Sequence, residues 1–416
     1  MDGQIYRQIA PLAALVVTGI GWWMLQERRA KGKTAPRRSQ PMHVLCTSPL
    51  PTDYAEEFEA TGIVVTPLAF DGSIPESCPD DIIFDGLFIS PESFKLLQRE
   101  GPVKGKAMLV ALYKYAAQLV MEGRVTWAQI CASGLDVPAF FPLMRAAHSM
   151  GIDLTHSPGV YGKPIAEYCL THMLSITRNV IEHADNQRTA HYKPIDQRGL
   201  TGATVGIVGG GGIGSEVARL SRAFGCRTIG LRRKPSPEDY ETYDKVVTSD
   251  NLNMLLAESD FVVLSVPLTK DTRHLIGREQ LELMRPTSWL INVSRGPVVD
   301  EPALIDVLTT PEKGLAGAVL DVFYKEPLAP DSPLWTMKNC IITPHDSFRT
   351  ETAVDANNRF FIENARRFVT LAACAVLFVI FIFTRSLPTH NRRQCGEPLQ
   401  GVVAEEYLKP ALASGP

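Results

Sequence analysis

The sequence predicts an α/β protein built on a doubly wound parallel sheet, with a smaller second α/β domain and an apolar helix at the N-terminus. Three observations predict it. Short apolar, strand-like runs alternate with helix-like segments from His43 onward. From Leu200 on, the strand-like runs are almost continuously apolar, as strands covered on both faces must be. A glycine-rich turn, VGIVGGGGIGS, joins one such run to an amphipathic segment.

The chain has 416 residues, enough for two domains with real cores. Apolar residues make up 45% and charged residues 21%, a globular balance. The net charge of -3 leaves no electrostatic footprint for nucleic acid, so no nucleic-acid partner is expected. Cys46, Cys78, Cys131, Cys169, Cys226, Cys340, Cys374 and Cys395 form no Cys-x-x-Cys pair, and several sit in apolar runs. They read as free thiols in a reducing compartment, and no metal site is expected.

Two apolar segments stand apart. Residues 9–25 (IAPLAALVVTGIGWWML) end near Trp22 and Trp23 and precede Arg28, Arg29, Lys31, Lys33, Arg37 and Arg38. That is the flank pattern of a short signal anchor, which predicts a membrane-anchored chain with the remainder in the cytoplasm. A cleaved presequence fits less well, because the basic residues follow the apolar core. Met42 is an alternative start, and it keeps a soluble cytoplasmic protein open. The second segment, 368–383 (FVTLAACAVLFVIFIF), is short against the roughly 20 residues of a typical span.

Each element follows in order. HVLCTSPL is strand-like, TDYAEEFEATG helix-like, and GIVVTPLAF and DIIFDGLFIS strand-like again. VTWAQICASGLD reads as a strand ending in a glycine loop. Together they predict a small domain over 42–157. GKPIAEYCLTHMLSITRNVIEHAD has Pro164 suited to a first helical turn and apolar residues at helical spacing. It predicts one connecting helix. A cofactor domain is expected over 158–345, with strands in ATVGIV, CRTIGL, DFVVLSVPL, SWLINVS, GAVLDV and CIITPH. Residues 346–370 and 396–416 would return to the first domain. Residues 371–395 read as an apolar insertion between them, and 1–41 as the apolar segment and a basic linker.

Gly209, Gly211 and Gly214 fit a dinucleotide-binding fingerprint, and the context is right: a strand before and a helix opening at Ile213. The helix N-terminus would face pyrophosphate. The next strand ends in Leu231, Arg232, Arg233 and Lys234, where a carboxylate would mark NAD. No carboxylate stands in that window. The cations suit a 2′-phosphate, so NADP(H) is the preferred cofactor and NAD(H) the alternative. Arg295, Glu326 and His345 each follow a predicted parallel strand, at the sheet edge where doubly wound folds bind ligands. Arginine binds carboxylates, and a histidine–glutamate pair moves a proton. With a redox dinucleotide, these residues spell hydride transfer to a 2-oxo acid.

The motifs VGIVGGGGIG, FVVLSVPLTKDTRHLI, INVSRGPVVDEPAL, GAVLDVFYKEPL and IITPH give residues 125–345 a specific resemblance to the D-isomer-specific 2-hydroxyacid dehydrogenases. The resemblance before residue 125 is looser. It implies a Rossmann cofactor domain beside a flavodoxin-like substrate domain, and a homodimer through the cofactor domain. The reaction implied is reduction of a 2-oxo acid such as glyoxylate or hydroxypyruvate to the D-2-hydroxy acid. Arg295 would bind the substrate's carboxylate and polarise its carbonyl. His345 would exchange a proton with the carbonyl oxygen, and Glu326 would hold the imidazole and favour its charged form. Ser133 and Gly134 match the loop whose amides grip the substrate carboxylate. Gly212 and Ile213 would meet the pyrophosphate, Val266, Pro267 and Thr272 would lie along the dinucleotide, Val293 and Ser294 near the nicotinamide ribose, and Asp321 near the carboxamide.

Related formate dehydrogenases carry Gln where Glu326 stands, which argues against formate oxidation. The family usually has a small or apolar residue and then Gly or Ala after the histidine, whereas this chain has Asp346, Ser347 and Phe348. His191 and Tyr192 occupy a stretch where many members have Trp. The resemblance also admits a dinucleotide-sensing interaction protein, like the C-terminal-binding corepressors, and a membrane-tethered chain with a degraded enzyme domain.

Overall fold

The computed structural model describes residues 42–47, 62–69, 82–94, 100–310, 314–384 and 402, with single positions at 54, 56, 57, 74 and 78. The chain divides into two compact units, Met1–Ser157 with Asn357–Pro416, and Pro158–Ala356.

The first unit holds β1 (Met42–Cys46), β2 (Ile63–Pro67), β3 (Gly86–Ile89), α1 (Pro102–Met121), β4 (Trp127–Ile130), α2 (Phe141–Met150) and β5 (Asp153–Thr155). All its strands are parallel, in the order β2-β1-β3-β4-β5. This is the flavodoxin-like order. Its strands are short, and β3 (GLFI) is buried along its whole length. α1 buries Leu109, Leu112, Tyr113, Ala116, Leu119 and Val120, a one-face spacing of three and four.

The second unit holds α3 (Gly162–Thr177), α4 (Val180–Arg188), β6 (Thr204–Val208), α5 (Gly212–Ala223), β7 (Arg227–Leu231), α6 (Asp239–Thr242), β8 (Lys245–Val247) and α7 (Leu252–Glu258). It continues with β9 (Phe261–Leu264), α8 (Arg278–Glu282), β10 (Trp289–Asn292), α9 (Glu301–Thr309), β11 (Gly317–Leu320) and β12 (Cys340–Ile342). Its seven parallel strands run β12-β11-β10-β9-β6-β7-β8. The order reverses between β6 and β9, which makes the carboxyl ends of those two strands the topological switch point. The doubly wound sheet expected from the sequence is present.

Several expectations need correction. The single connecting helix is two helices. Asn179 takes a left-handed conformation (φ 49) between them, and its side chain donates to the Asp196 carbonyl at 2.8 Å. The second domain boundary falls at 356/357 rather than 345/346. The final helix α10 (Glu351–Thr384) explains this: Ala353 packs in the core of the second unit, whereas Phe361, Ile362 and Ala365 pack in a core of the first. In that core Phe361 stacks on Phe88 at 4.2 Å and on Trp127 at 5.3 Å, and buried Asn364 donates to Gln129 at 2.9 Å.

The membrane-anchored expectation is also corrected: among the described residues, no helix is long and apolar enough to cross a membrane. The N-terminal segment 9–25 lies outside the described residues. The second apolar run is the distal part of α10, which starts as an amphipathic core helix and shows no break at 371. Val402 bridges antiparallel to Thr155 at the end of β5, so the chain beyond the apolar run returns to the first unit's sheet.

Candidate active site

The glycine turn sits at the switch point, between β6 and α5. Gly209 has φ 104, a region closed to most side chains, and a Cβ there would lie 2.8 Å from the Ser265 carbonyl group. Gly214 comes so close to Gly209 that a Cβ would lie 2.3 Å from the latter's oxygen. Ser265 at the end of β9 donates to that oxygen at 2.6 Å, which ties the two strand ends together. α5 begins at Gly212, one residue before the expected Ile213, with Gly211 as its cap. No side chain caps it, and the space where a Cβ of Gly211 would sit is open. First-turn amides facing open space beyond a glycine turn suit a pyrophosphate, so the residues fit a dinucleotide.

The neighbouring positions follow. Thr272 donates to the Pro267 carbonyl at 2.6 Å and accepts from the Thr269 amide at 2.7 Å, closing the loop that begins at Val266. Val293 and Ser294 are buried at the end of β10, where the Ser294 hydroxyl donates to Asn292 at 2.6 Å. Arg232, at the end of β7, donates to the Gly210 carbonyl at 2.8 Å and to Asp239 at 3.0 Å, while Arg233 and Lys234 are exposed. Sequence reasoning missed Asp239, which reaches Arg232 from beyond the carboxylate-free window. Its signal was present in Ser236-Pro237-Glu238-Asp239, a serine followed three residues later by a carboxylate.

Glu326 and His345 meet. Nδ1 of His345 lies 2.8 Å from Oε2 of Glu326, and Oε1 accepts from the Phe323 amide at 3.1 Å. A carboxylate only accepts, so Nδ1 is the donor and Nε2 is left for a ligand. Burial works to raise the Glu326 carboxyl, but His345, the Phe323 amide and the charge of Arg295 together outweigh it. The carboxyl therefore lies below the usual glutamate value. Arg295 is extended (φ -142, ψ 145). Its Nη1 donates to the Ser294 carbonyl at 2.7 Å, and its own carbonyl accepts from Asn292 at 3.1 Å.

The loop carrying His345 is held from below by Asp321, which is 1% exposed. Its Oδ1 accepts from the Thr343 hydroxyl at 2.6 Å and the Asp346 amide at 2.9 Å, and Oδ2 accepts from the Ser347 amide at 3.2 Å. The Thr343 hydroxyl also lies 2.6 Å from that of Tyr168 on α3. Asp321 thus spends its acceptor capacity on the loop, a role its expected place near a carboxamide did not include. His345 has φ 56, a conformation uncommon outside glycine, and these bonds fix it there. Burial, then the charge of Asp321, pushes the Asp346 carboxyl above the ordinary aspartate value.

Ser133 and Gly134 belong to the first unit, beyond β4. The Ser133 hydroxyl donates to the Ser157 carbonyl at 2.8 Å, and Nδ1 of His156 lies 3.1 Å from the Ser133 carbonyl. Burial holds the His156 imidazole below its usual value despite that contact.

Residues 170–347 match the D-isomer specific 2-hydroxyacid dehydrogenase, NAD binding domain. The chain belongs to the D-isomer-specific 2-hydroxyacid dehydrogenase family and carries its NAD-binding domain. It is 41% identical over 211 residues to a glyoxylate reductase of Korarchaeum cryptofilum, across 49% of this chain and 61% of that protein's length. It is 38% identical over 239 residues to a glyoxylate/hydroxypyruvate reductase B of Pectobacterium carotovorum, across 56% of this chain and 68% of that one. Its fold is similar to a crystal structure of a family member from Aeromonas salmonicida, with a TM-score of 0.61 and 25% identity, over 88% of this chain and 99% of that one.

Proposed function

We propose that this chain is an NAD(P)H-dependent reductase of 2-oxo acids such as glyoxylate or hydroxypyruvate, giving the D-2-hydroxy acid, with NADPH preferred. The observation that carries the reading is the pairing of His345 Nδ1 with Glu326 at 2.8 Å, beside an arginine whose charge Glu326 feels. A bound reduced nicotinamide supplies the hydride. Arg295 binds the substrate carboxylate and draws electron density from its carbonyl. His345 delivers a proton from Nε2 to the carbonyl oxygen and takes one up in the reverse direction, while Glu326 fixes the ring through Nδ1. Ser133 and Gly134 are proposed as ligands of the substrate carboxylate, on the match of CASGLD alone.

NADPH preference is supported by Arg232, Arg233 and Lys234 at the end of β7. A homodimer through the cofactor domain is supported by α4, which buries none of its residues, and by exposed Val180, Ile181 and Tyr192 along it and just beyond.

The test is a panel of glyoxylate, hydroxypyruvate and a branched 2-oxo acid, each with NADPH and with NADH. Turnover of at least one acid, faster with NADPH, is expected. No turnover with any of them, alongside tight NADPH binding, would favour a dinucleotide sensor instead.

A further inference from the structure

Arg232 is held at two points. Nη1 donates to the Gly210 carbonyl inside the glycine turn at 2.8 Å, and Nε donates to Oδ2 of Asp239 at 3.0 Å. Asp239 is itself fixed, since Oδ2 also accepts from the Ser236 amide at 2.7 Å and its hydroxyl at 3.1 Å. Asp239 is 5% exposed, whereas the Arg232 side chain is 30% exposed. A guanidinium has five N–H donors. Nη2 takes part in none of these bonds and remains for a ligand. Burial opposes ionisation of Asp239, but the Ser236 amide and Arg232 outweigh it, and the carboxyl stays below its ordinary value.

We propose that Asp239 is a positioning residue for cofactor choice: it clamps Arg232 across the glycine turn with Nη2 outward, toward the 2′-phosphate of NADPH. This rests on the NADPH reading above. An arginine already held in place loses little side-chain freedom when an anion docks. Exposed Arg233 supplies a second cation on the same turn.

Two roles for Asp239 differ in sign. As a bare negative charge it would repel a 2′-phosphate, and its removal would tighten binding. As the anchor of Arg232, its removal loosens binding. Titration calorimetry on the full chain separates them, with 2′,5′-ADP and 5′-ADP as probes. The wild type is expected to prefer 2′,5′-ADP. Asp239→Asn is expected to lose about tenfold of that preference, with 5′-ADP affinity changed less than about twofold. In an Arg232→Ala background Asp239→Asn should add nothing, because the pair acts as one unit.

A wild type with no preference overturns the NADPH reading, and this inference with it. A wild type with the preference, and an Asp239→Asn variant that keeps or strengthens it, overturns the inference alone. Parallel loss of both probes in Asp239→Asn also overturns it, since Asp239 would then support the turn as a whole. Should that variant fail to fold, Ser236→Ala removes one bond to Asp239 and should cost about threefold of the preference. An unchanged preference there sinks the proposal.

Discussion

His345 carries a narrow requirement in the proposed reaction. Its ring must be aimed, its Nδ1 must be committed, and its backbone must hold an uncommon conformation. Glu326 meets the first two needs as a carboxylate, so its ionisation matters. Burial raises the folded Glu326 carboxyl, but the bond to His345, the charge of that ring, the Phe323 amide and Arg295 together hold it below its ordinary value. A depressed carboxyl contributes stability above its unfolded pKa and loses it as pH falls through the folded value. The urea stability difference between wild type and Glu326→Gln should therefore be level above about pH 5 and shrink below about pH 4. A difference unchanged from acid to neutral pH would remove the ionised pair from the account. The pair was legible in the sequence because both residues follow apolar strand-like runs. Asp239 was not, since a reader looking for a ribose carboxylate stops at the strand end, and its contact with Arg232 depends on the fold of the turn between them.

At the scale of elements, one buried carboxylate ties the end of β11 to the loop after β12. Asp321 holds Thr343, Asp346 and Ser347 together, and it is the reason His345 can sit at positive φ. Asp321→Asn replaces an acceptor-only group by one with two donors, in a site whose partners all donate. It should lower unfolding stability by about 2 kcal/mol, read from the urea midpoint at unchanged slope. A shift within a few tenths of that of wild type would show the loop to be held by other contacts. None of this network could be read from residue spacing, because Asp321 and Thr343 come together only through parallel pairing of β11 with β12. Other elements were open to view. The apolar run ATVGIV and the segment after the glycine turn stand as β6 and α5, whereas the break at Asn179 lies inside a segment whose periodicity runs straight through it.

For the whole molecule, parallel sheets follow from the alternation of apolar runs and helices, and both sheets are parallel. The apolar run near the C-terminus does not follow from that pattern. α10 packs Phe361, Ile362 and Ala365 before the run, and Val402 pairs with Thr155 after it. On the reading of residues 371–395 as an insertion, residues 42–416 without them are expected to unfold cooperatively, by circular dichroism. Loss of the transition would show that the fold needs the segment, and a peptide from within 375–390 in mass spectrometry of the natural protein would refute its reading as a foreign insertion. On the proposed function, His345 transfers a proton during reduction of a 2-oxo acid. The most direct test of that role is NADPH oxidation by wild type and His345→Gln with glyoxylate or hydroxypyruvate, beside NADPH affinity by titration. Turnover by the wild type, a loss of at least about a hundredfold in kcat for the variant, and nearly equal NADPH affinity are expected. A variant that keeps its kcat, or loses turnover and NADPH binding together, would contradict that role.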